Sequence, residues 1–376
     1  MLVIQSLSVG GTEKLFVSLV NHFAPRMIDV GMVVIGSHNP LASEIRSGGP
    51  PPVLAHRRFR GDFWQPAAII RDVIVSRQAQ IVLSFGLWEN AFTRLALRGL
   101  RVPRVVALHF TRPRNLRNYL LYFAYSRLLT DRDRLICVCN AQADYLSRVY
   151  LLDRARISII YNGVETEFFD PAHVRVPERL MLRRSLGLSA SQPVILQVAN
   201  LSPAKRHEDA LEAMAQLSRE HSDLNAVLVL VGEGTDTRRT ELEALARRLR
   251  IRHRVVFAGF QRDLRPYYAI SDCFTLSSVA VEAFSIAALE ALSMGVPIAL
   301  TDIGGAREMV REGVNGLVVP ARHPANLAAA WFDLISQPRD ALRIRRDAVS
   351  RFDIGKCAQS YQELMSELAG DCNSMM

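Results

Sequence analysis

Short apolar runs alternate with helix-period segments along almost the whole chain, and this alternation constrains the fold more than any other feature. Residues 2–7, 30–35, 81–85, 104–108, 135–139 and 157–161 each read as a strand. Between them lie helical segments. The one after Gly10-Gly11-Thr12-Glu13 carries Leu15, Phe16, Leu19, Val20 and Phe23 on one face, and others cover 66–76 and 90–97. A second series opens at 194–198 and continues through 226–231, 255–257, 273–276, 297–300 and 317–319. Apolar strands separated by helices indicate parallel sheets covered on both faces. Two such series in 376 residues predict an α/β protein of two doubly wound, Rossmann-like domains. Asn315-Gly316, before the last run, reads as a hairpin-type turn.

Doubly wound sheets bind ligands beyond the carboxyl ends of their strands. The stretch 279–300, VAVEAFSIAALEALSMGVPIAL, follows such an end. It is almost wholly apolar yet holds two carboxylates, Glu282 and Glu290, and no Lys or Arg to pair with them. A buried carboxylate is costly unless it finds donors, titrates or meets a ligand. Ser285 is a suitable N-cap, 286–294 reads as helix, and Gly295 with Pro297 closes it. Glu282 then stands outside the helix mouth and Glu290 about one and a half turns inside, on a related face. The free amides of the helix N-terminus between them form an anion site. Two acceptors flanking an anion hole suit a phosphate with hydroxyls on both sides, which describes a nucleotide-sugar.

Other turns carry weaker signals. Gly10-Gly11 after the first run lets the backbone approach a ligand closely. His109 ends the run 104–108, where a structural histidine and a functional one are both compatible with the residues. Ser202 as N-cap with Pro203 at the first helical position puts Lys205 in a first turn, where a cation is disfavoured unless an anion is near. Gly232-Glu233-Gly234 is equally explained by close packing. Asp131-Arg132-Asp133 has the spacing of a metal-binding D-x-D, but its flanking arginines predict a solvated, charge-paired loop. The five cysteines are scattered, which argues for reduced thiols in the cytosol and against a disulfide or zinc framework.

The net charge of +9 raises nucleic acid and anionic membrane as partners, or reflects an arginine-rich composition alone. No nucleic-acid signature accompanies it. Residues 111–129 combine Arg112, Arg114, Arg117 and Arg127 with Leu120, Leu121, Tyr122, Phe123, Leu128 and Leu129. This is either a domain helix with a solvated basic face or a helix that lies on an anionic membrane. No run of about 18 uncharged apolar residues and no secretory signal is present, so a cytoplasmic protein is expected, possible membrane contact being peripheral.

Glu282 and Glu290, with seven residues between them and AFSIAAL inside, resemble the E-x7-E signature of the family 4 (group 1) retaining glycosyltransferases of the GT-B superfamily. Gly10-Gly11-Thr12-Glu13 resembles that family's GG-x-E segment, and Asn162-Gly163-Val164 its turn before the interdomain linker. The resemblance covers nearly the whole chain. It implies GT-B architecture, with two Rossmann-like domains facing each other across a cleft. The acceptor-side domain would span 1–168, a linker 169–191, the donor-binding domain 192–352, and 353–376 a helix crossing back.

The resemblance implies transfer of a hexose or N-acetylhexosamine from a nucleoside-diphosphate sugar, UDP favoured over GDP, to a glycan or lipid-linked acceptor of surface-polysaccharide or glycolipid synthesis. No essential metal or other cofactor is implied. Glu282, His109 and Lys205 are the implied catalytic group: Glu282 orients the sugar, His109 faces it, and Lys205 binds the diphosphate. Gly10, Gly11, Asn200, Lys205, Phe260, Gln261, Phe284, Ser285, Ile286 and Glu290 are the implied donor contacts, with Glu290 on the ribose and Phe260 and Gln261 near the base. Asn200 stands where the family usually has an arginine, so either Arg206 substitutes or Lys205 and the Ser285 helix act alone. A nucleotide-sugar epimerase of the same fold, or an inactive nucleotide-sugar-binding subunit, are the alternatives.

Overall fold

The computed structural model describes residues 1–374 apart from 9, 24–28, 47–50, 57–61, 109–115, 128, 131 and 281. The chain forms two compact units, Met1–Gly163 with Ile354–Met376 and Val164–Asp353.

The first unit holds β1 (Leu2–Ile4), β2 (Met32–Val34), β3 (Val53–Leu54), β4 (Val82–Phe85), β5 (Arg104–Leu108), β6 (Asp133–Cys137) and β7 (Ile157–Ile159). Their spatial order is β3-β2-β1-β4-β5-β6-β7, and every pairing is parallel. β1, β2, β4 and β5 are buried along their full length, which is why their sequences run apolar without alternation. The helix Gly11–His22 lays Phe16 edge-on against Phe85, ring centroids 5.1 Å apart. The helix Ile354–Ser374 stacks Tyr361 on the same Phe85 at 6.3 Å.

The second unit repeats this plan with β8 (Val194–Val198), β9 (Val227–Val231), β10 (Val255–Gly259), β11 (Cys273–Leu276), β12 (Ile298–Thr301) and β13 (Gly316–Val319). The order is β10-β9-β8-β11-β12-β13, again wholly parallel. Strand order reverses between β8 and β11, which makes their carboxyl ends the switch point. The corresponding point in the first sheet lies between β1 and β4.

Four local expectations are corrected by tertiary contacts. Asn315-Gly316 makes no hairpin: β13 runs parallel to β12, with Gly316 opposite Ile298, and Asn315 is buried with its side chain bonded to Arg311 N and Met309 O. Asp133 is not in a solvated loop. It opens β6 opposite Arg104 of β5, and the two form a buried bidentate pair at 2.9 and 3.0 Å. Parallel register, which local sequence does not reveal, brings them together. Asp131 lies outside the described residues.

Lys205 is not in the first turn of an α-helix. Pro203–Lys205 is a single 3-10 turn, Arg206 follows in the left-handed region at φ 47°, and the α-helix starts only at His207. The dipole argument for Lys205 therefore falls away. Residues 169–191, expected as a linker, pack within the second unit. The Phe169 ring lies edge-on to Tyr268 at 6.0 Å, and its carbonyl accepts from Ser293 and Arg345.

Candidate functional site

The switch point of the second sheet gathers the residues with the most chemistry. Lys205 arrives from the turn after β8 and Glu282 from the loop after β11, and their side chains form an ion pair, each partly exposed. The lysine that 279–300 lacks is thus supplied by a neighbouring strand end. Ser278 Oγ lies 3.4 Å from the same Glu282 oxygen. Thr301 at the end of β12 anchors this strand exit, its hydroxyl donating to Ser278 O at 2.6 Å.

The helix Ile286–Ser293 starts beside this pair. Ser285 caps it, its hydroxyl accepting the Ala288 N–H at 3.3 Å. An anion held there would meet the first-turn amides and the positive end of the helix dipole. Glu290, one turn further in, is only 5% exposed and accepts the Tyr268 hydroxyl at 2.7 Å. That hydroxyl also lies 3.1 Å from Ala287 O. Burial, and then the Glu290 carboxylate, push the Tyr268 phenol well above its usual range, so it remains a donor.

A glycine makes the close approach around Glu282 feasible. Gly304, after β12, has φ 57°, and a Cβ there would strike the carbonyls of Glu282 and Ala283. Its neighbour Gly305 donates to Ala283 O at 2.8 Å. On the other side, a Cβ on Gly232 would strike the Ala199 carbonyl, and one on Gly234 would meet Leu201 Cβ at 2.6 Å. The G-x-G turn therefore serves close packing of the β8 exit loop, which carries Asn200.

The other expected donor contacts fall at different depths. Asn200 is exposed just after β8. Arg206 is paired with Asp209, to which its Nε donates at 3.0 Å. Phe260 stands 54% exposed after β10, while Gln261 folds back on Ala258 O at 2.8 Å. Phe284 is turned into the core, edge-on to Phe352 at 5.6 Å, so main chain is what it presents to the site. Ile286 is the first helical residue and is half-buried. Gly10 and Gly11 belong to the first unit, at its own switch point, where Gly10 is the N-cap of the helix Gly11–His22. His109 lies outside the described residues.

Tyr268, Ser277, Ser278 and Gly304 are not among the expected site residues, although Gly304-Gly305 reads as a turn. The Tyr268-Glu290 contact spans 22 positions with no motif linking them, and only the serine pair at a strand exit offered a local hint.

The two wholly parallel sheets, each with a switch point and glycine-lined turns at its carboxyl edge, share the GT-B class of fold with the following solved structures. The Anabaena protein Alr3699/HepE, solved in complex with UDP-glucose, superposes with a TM-score of 0.84 at 21% identity, covering 97% of this chain and 99% of that one. A glycosyltransferase from Rickettsia africae superposes with a TM-score of 0.82 at 18% identity, covering 98% and 97%. Residues 9–168 match the family described as Glycosyltransferase Family 4, and 179–351 that described as Glycosyl transferases group 1. This chain belongs to the family 4 (group 1) glycosyltransferases. An uncharacterized glycosyltransferase of Methanocaldococcus jannaschii, MJ1607, is 32% identical over 52% of this chain and 49% of its own length. The D-inositol 3-phosphate glycosyltransferase of Nocardia farcinica is 29% identical over 58% of this chain and 48% of its own length. The matches thus span about half the length of these curated relatives.

Proposed function

We propose that this chain is a retaining hexosyltransferase. It moves a hexose or N-acetylhexosamine from a nucleoside-diphosphate sugar, UDP favoured over GDP, to a glycan or lipid-linked acceptor in surface-polysaccharide or glycolipid synthesis. The second unit takes the donor and the first the acceptor. The observation that carries this reading is the meeting of Lys205 and Glu282 beside the capped helix Ile286–Ser293. Charge builds on the diphosphate oxygens as the sugar carbon becomes cation-like. Lys205 and the helix amides stabilise it, and one such preorganised donor is worth about 3–4 kcal/mol of barrier. Glu282 binds sugar hydroxyls and orients the ring. Glu290, steadied by Tyr268, takes the ribose hydroxyls. We expect no essential metal, because Lys205 and the amides supply the positive charge a cation would otherwise give.

Contact with an anionic membrane on its cytosolic face is supported by the helix Leu116–Ser126, where Leu116 and Leu120 are exposed and Arg127 follows. Residues 111–115 and 128 of that segment lie outside the described residues. No helix among the described residues is long and apolar enough to cross a membrane. Relatives named for inositol phosphate make a phosphorylated polyol an acceptor to try beside lipid-linked glycans.

The test is calorimetry and thermal shift with UDP, GDP, ADP and their sugar conjugates, with magnesium and with chelator. Metal-independent binding of one nucleotide-sugar is the expected result, and a hundredfold excess over Kd would add about 2.7 kcal/mol of stability. Glu282→Ala then lowers turnover more than donor binding, and Glu290→Ala mainly weakens donor binding. No binding by any nucleotide overturns the reading. Binding without turnover, unaffected by Glu282→Ala, returns the chain to a nucleotide-sugar-binding subunit, and donor conversion without acceptor to an epimerase.

A further inference from the structure

We propose that Ser277, backed by Gln197, is a positioning residue that sets Lys205 for the diphosphate; this rests on the donor-site reading above. The Lys205 turn is an uncomfortable piece of backbone. Its last residue, Arg206, sits at φ 47°, a conformation that costs a non-glycine residue about 1–2 kcal/mol. Something must hold it, and the exit of β11 does. Val279 N donates to Ala204 O at 3.0 Å. The Ser277 hydroxyl, fully buried, lies 2.9 Å from Lys205 O and 2.8 Å from Arg206 O, and its single proton serves either carbonyl or forks between them.

Gln197, also fully buried at the end of β8, completes the arrangement. Its Nε2 donates to Ser277 Oγ at 3.3 Å and reaches Lys205 O at 3.5 Å. The donation leaves the serine proton directed at the turn. Gln197 Oε1 is buried with no hydrogen-bond partner among the described residues. The adjacent Ser278 reaches Glu282, so the dipeptide Ser277-Ser278 sets both members of the Lys205–Glu282 pair from one strand end.

The test uses whichever of UDP, GDP and ADP binds the full chain best, together with its nucleoside. Ser277→Ala is expected to weaken the nucleoside diphosphate about five- to tenfold and leave the nucleoside within about twofold, as expected when one buried hydrogen bond is lost. In a Lys205→Ala background, Ser277→Ala is expected to have no further effect, because the two act as one unit. Gln197→Met supplies an independent variant. It removes the Nε2 donor to Ser277 and Lys205 O, so diphosphate affinity should fall while nucleoside affinity stays within about twofold.

Equal weakening of nucleoside and diphosphate, or full additivity with Lys205→Ala, overturns the positioning role while leaving the donor site standing. A Gln197→Met protein that keeps full diphosphate affinity overturns it too. If the parent binds no nucleotide, or Lys205→Ala changes nothing, the donor-site reading itself falls and takes this inference with it.

Discussion

Lys205 and Glu282, 77 positions apart in the chain, neutralise each other at the switch point of the second sheet. A diphosphate reaching Lys205 must compete with a carboxylate already there. In the proposed donor site, sugar hydroxyls would compensate Glu282 for the ammonium it gives up, whereas a nucleotide without sugar would not.

Glu282→Gln should therefore separate two effects. Without the competing charge, the bare nucleoside diphosphate should bind about three- to tenfold tighter, the equivalent of roughly 1 kcal/mol. Turnover should fall about a hundredfold, because the sugar is no longer oriented. Calorimetry and steady-state kinetics on the same preparation check both. Weaker binding of the bare nucleotide would show that the two side chains do not compete.

Tyr268→Phe leaves a buried Glu290 oxygen without its phenolic donor. A hydrogen bond to a charged group is worth about 1.5–3 kcal/mol, so unfolding in urea should show a loss of that size. Nucleotide affinity should fall with it, since Glu290 loses a contact on its carboxylate. Unchanged stability would mean the hydroxyl contributes nothing.

His207 should make the protein acid-sensitive. It is fully buried at the start of the helix His207–Glu220, and burial, with help from nearby Arg238, holds its imidazole down to about 4 from 6.5. The unfolded chain then takes up the proton first as pH falls. The stability tied to this residue is intact above about 6.5 and is lost as pH drops towards 4, about 2 kcal/mol of it by pH 5. Denaturant unfolding at pH 7 and pH 5 should show that loss in the parent, and His207→Leu should lack it.

Gly304→Ala should disable the site without touching a ligand. The added methyl would strike the Glu282 and Ala283 carbonyls, and the residue sits at φ 57°. A cost of about 2 kcal/mol or more in stability and a marked fall in turnover are expected. Near-parental activity would mean the Glu282 loop moves freely.

What the sequence alone determined is what local chemistry governs. Strands β8 and β11 are read from their apolar runs because both their faces are covered. The helix at Ile286–Ser293 is read from the Ser285 cap and the Gly295 stop because a cap acts within one turn. The tertiary structure alone decided which strand lies beside which, and every pairing that follows. Lys205 meets Glu282 only because β8 and β11 are neighbours, and Arg104 meets Asp133 only through the parallel register of β5 and β6. Tyr268 reaches Glu290 across 22 positions, and the Lys205 turn is held by a serine 72 positions away. Periodicity and caps are set by residues within about four positions of one another, whereas these contacts arise from strand order, which no local stretch encodes.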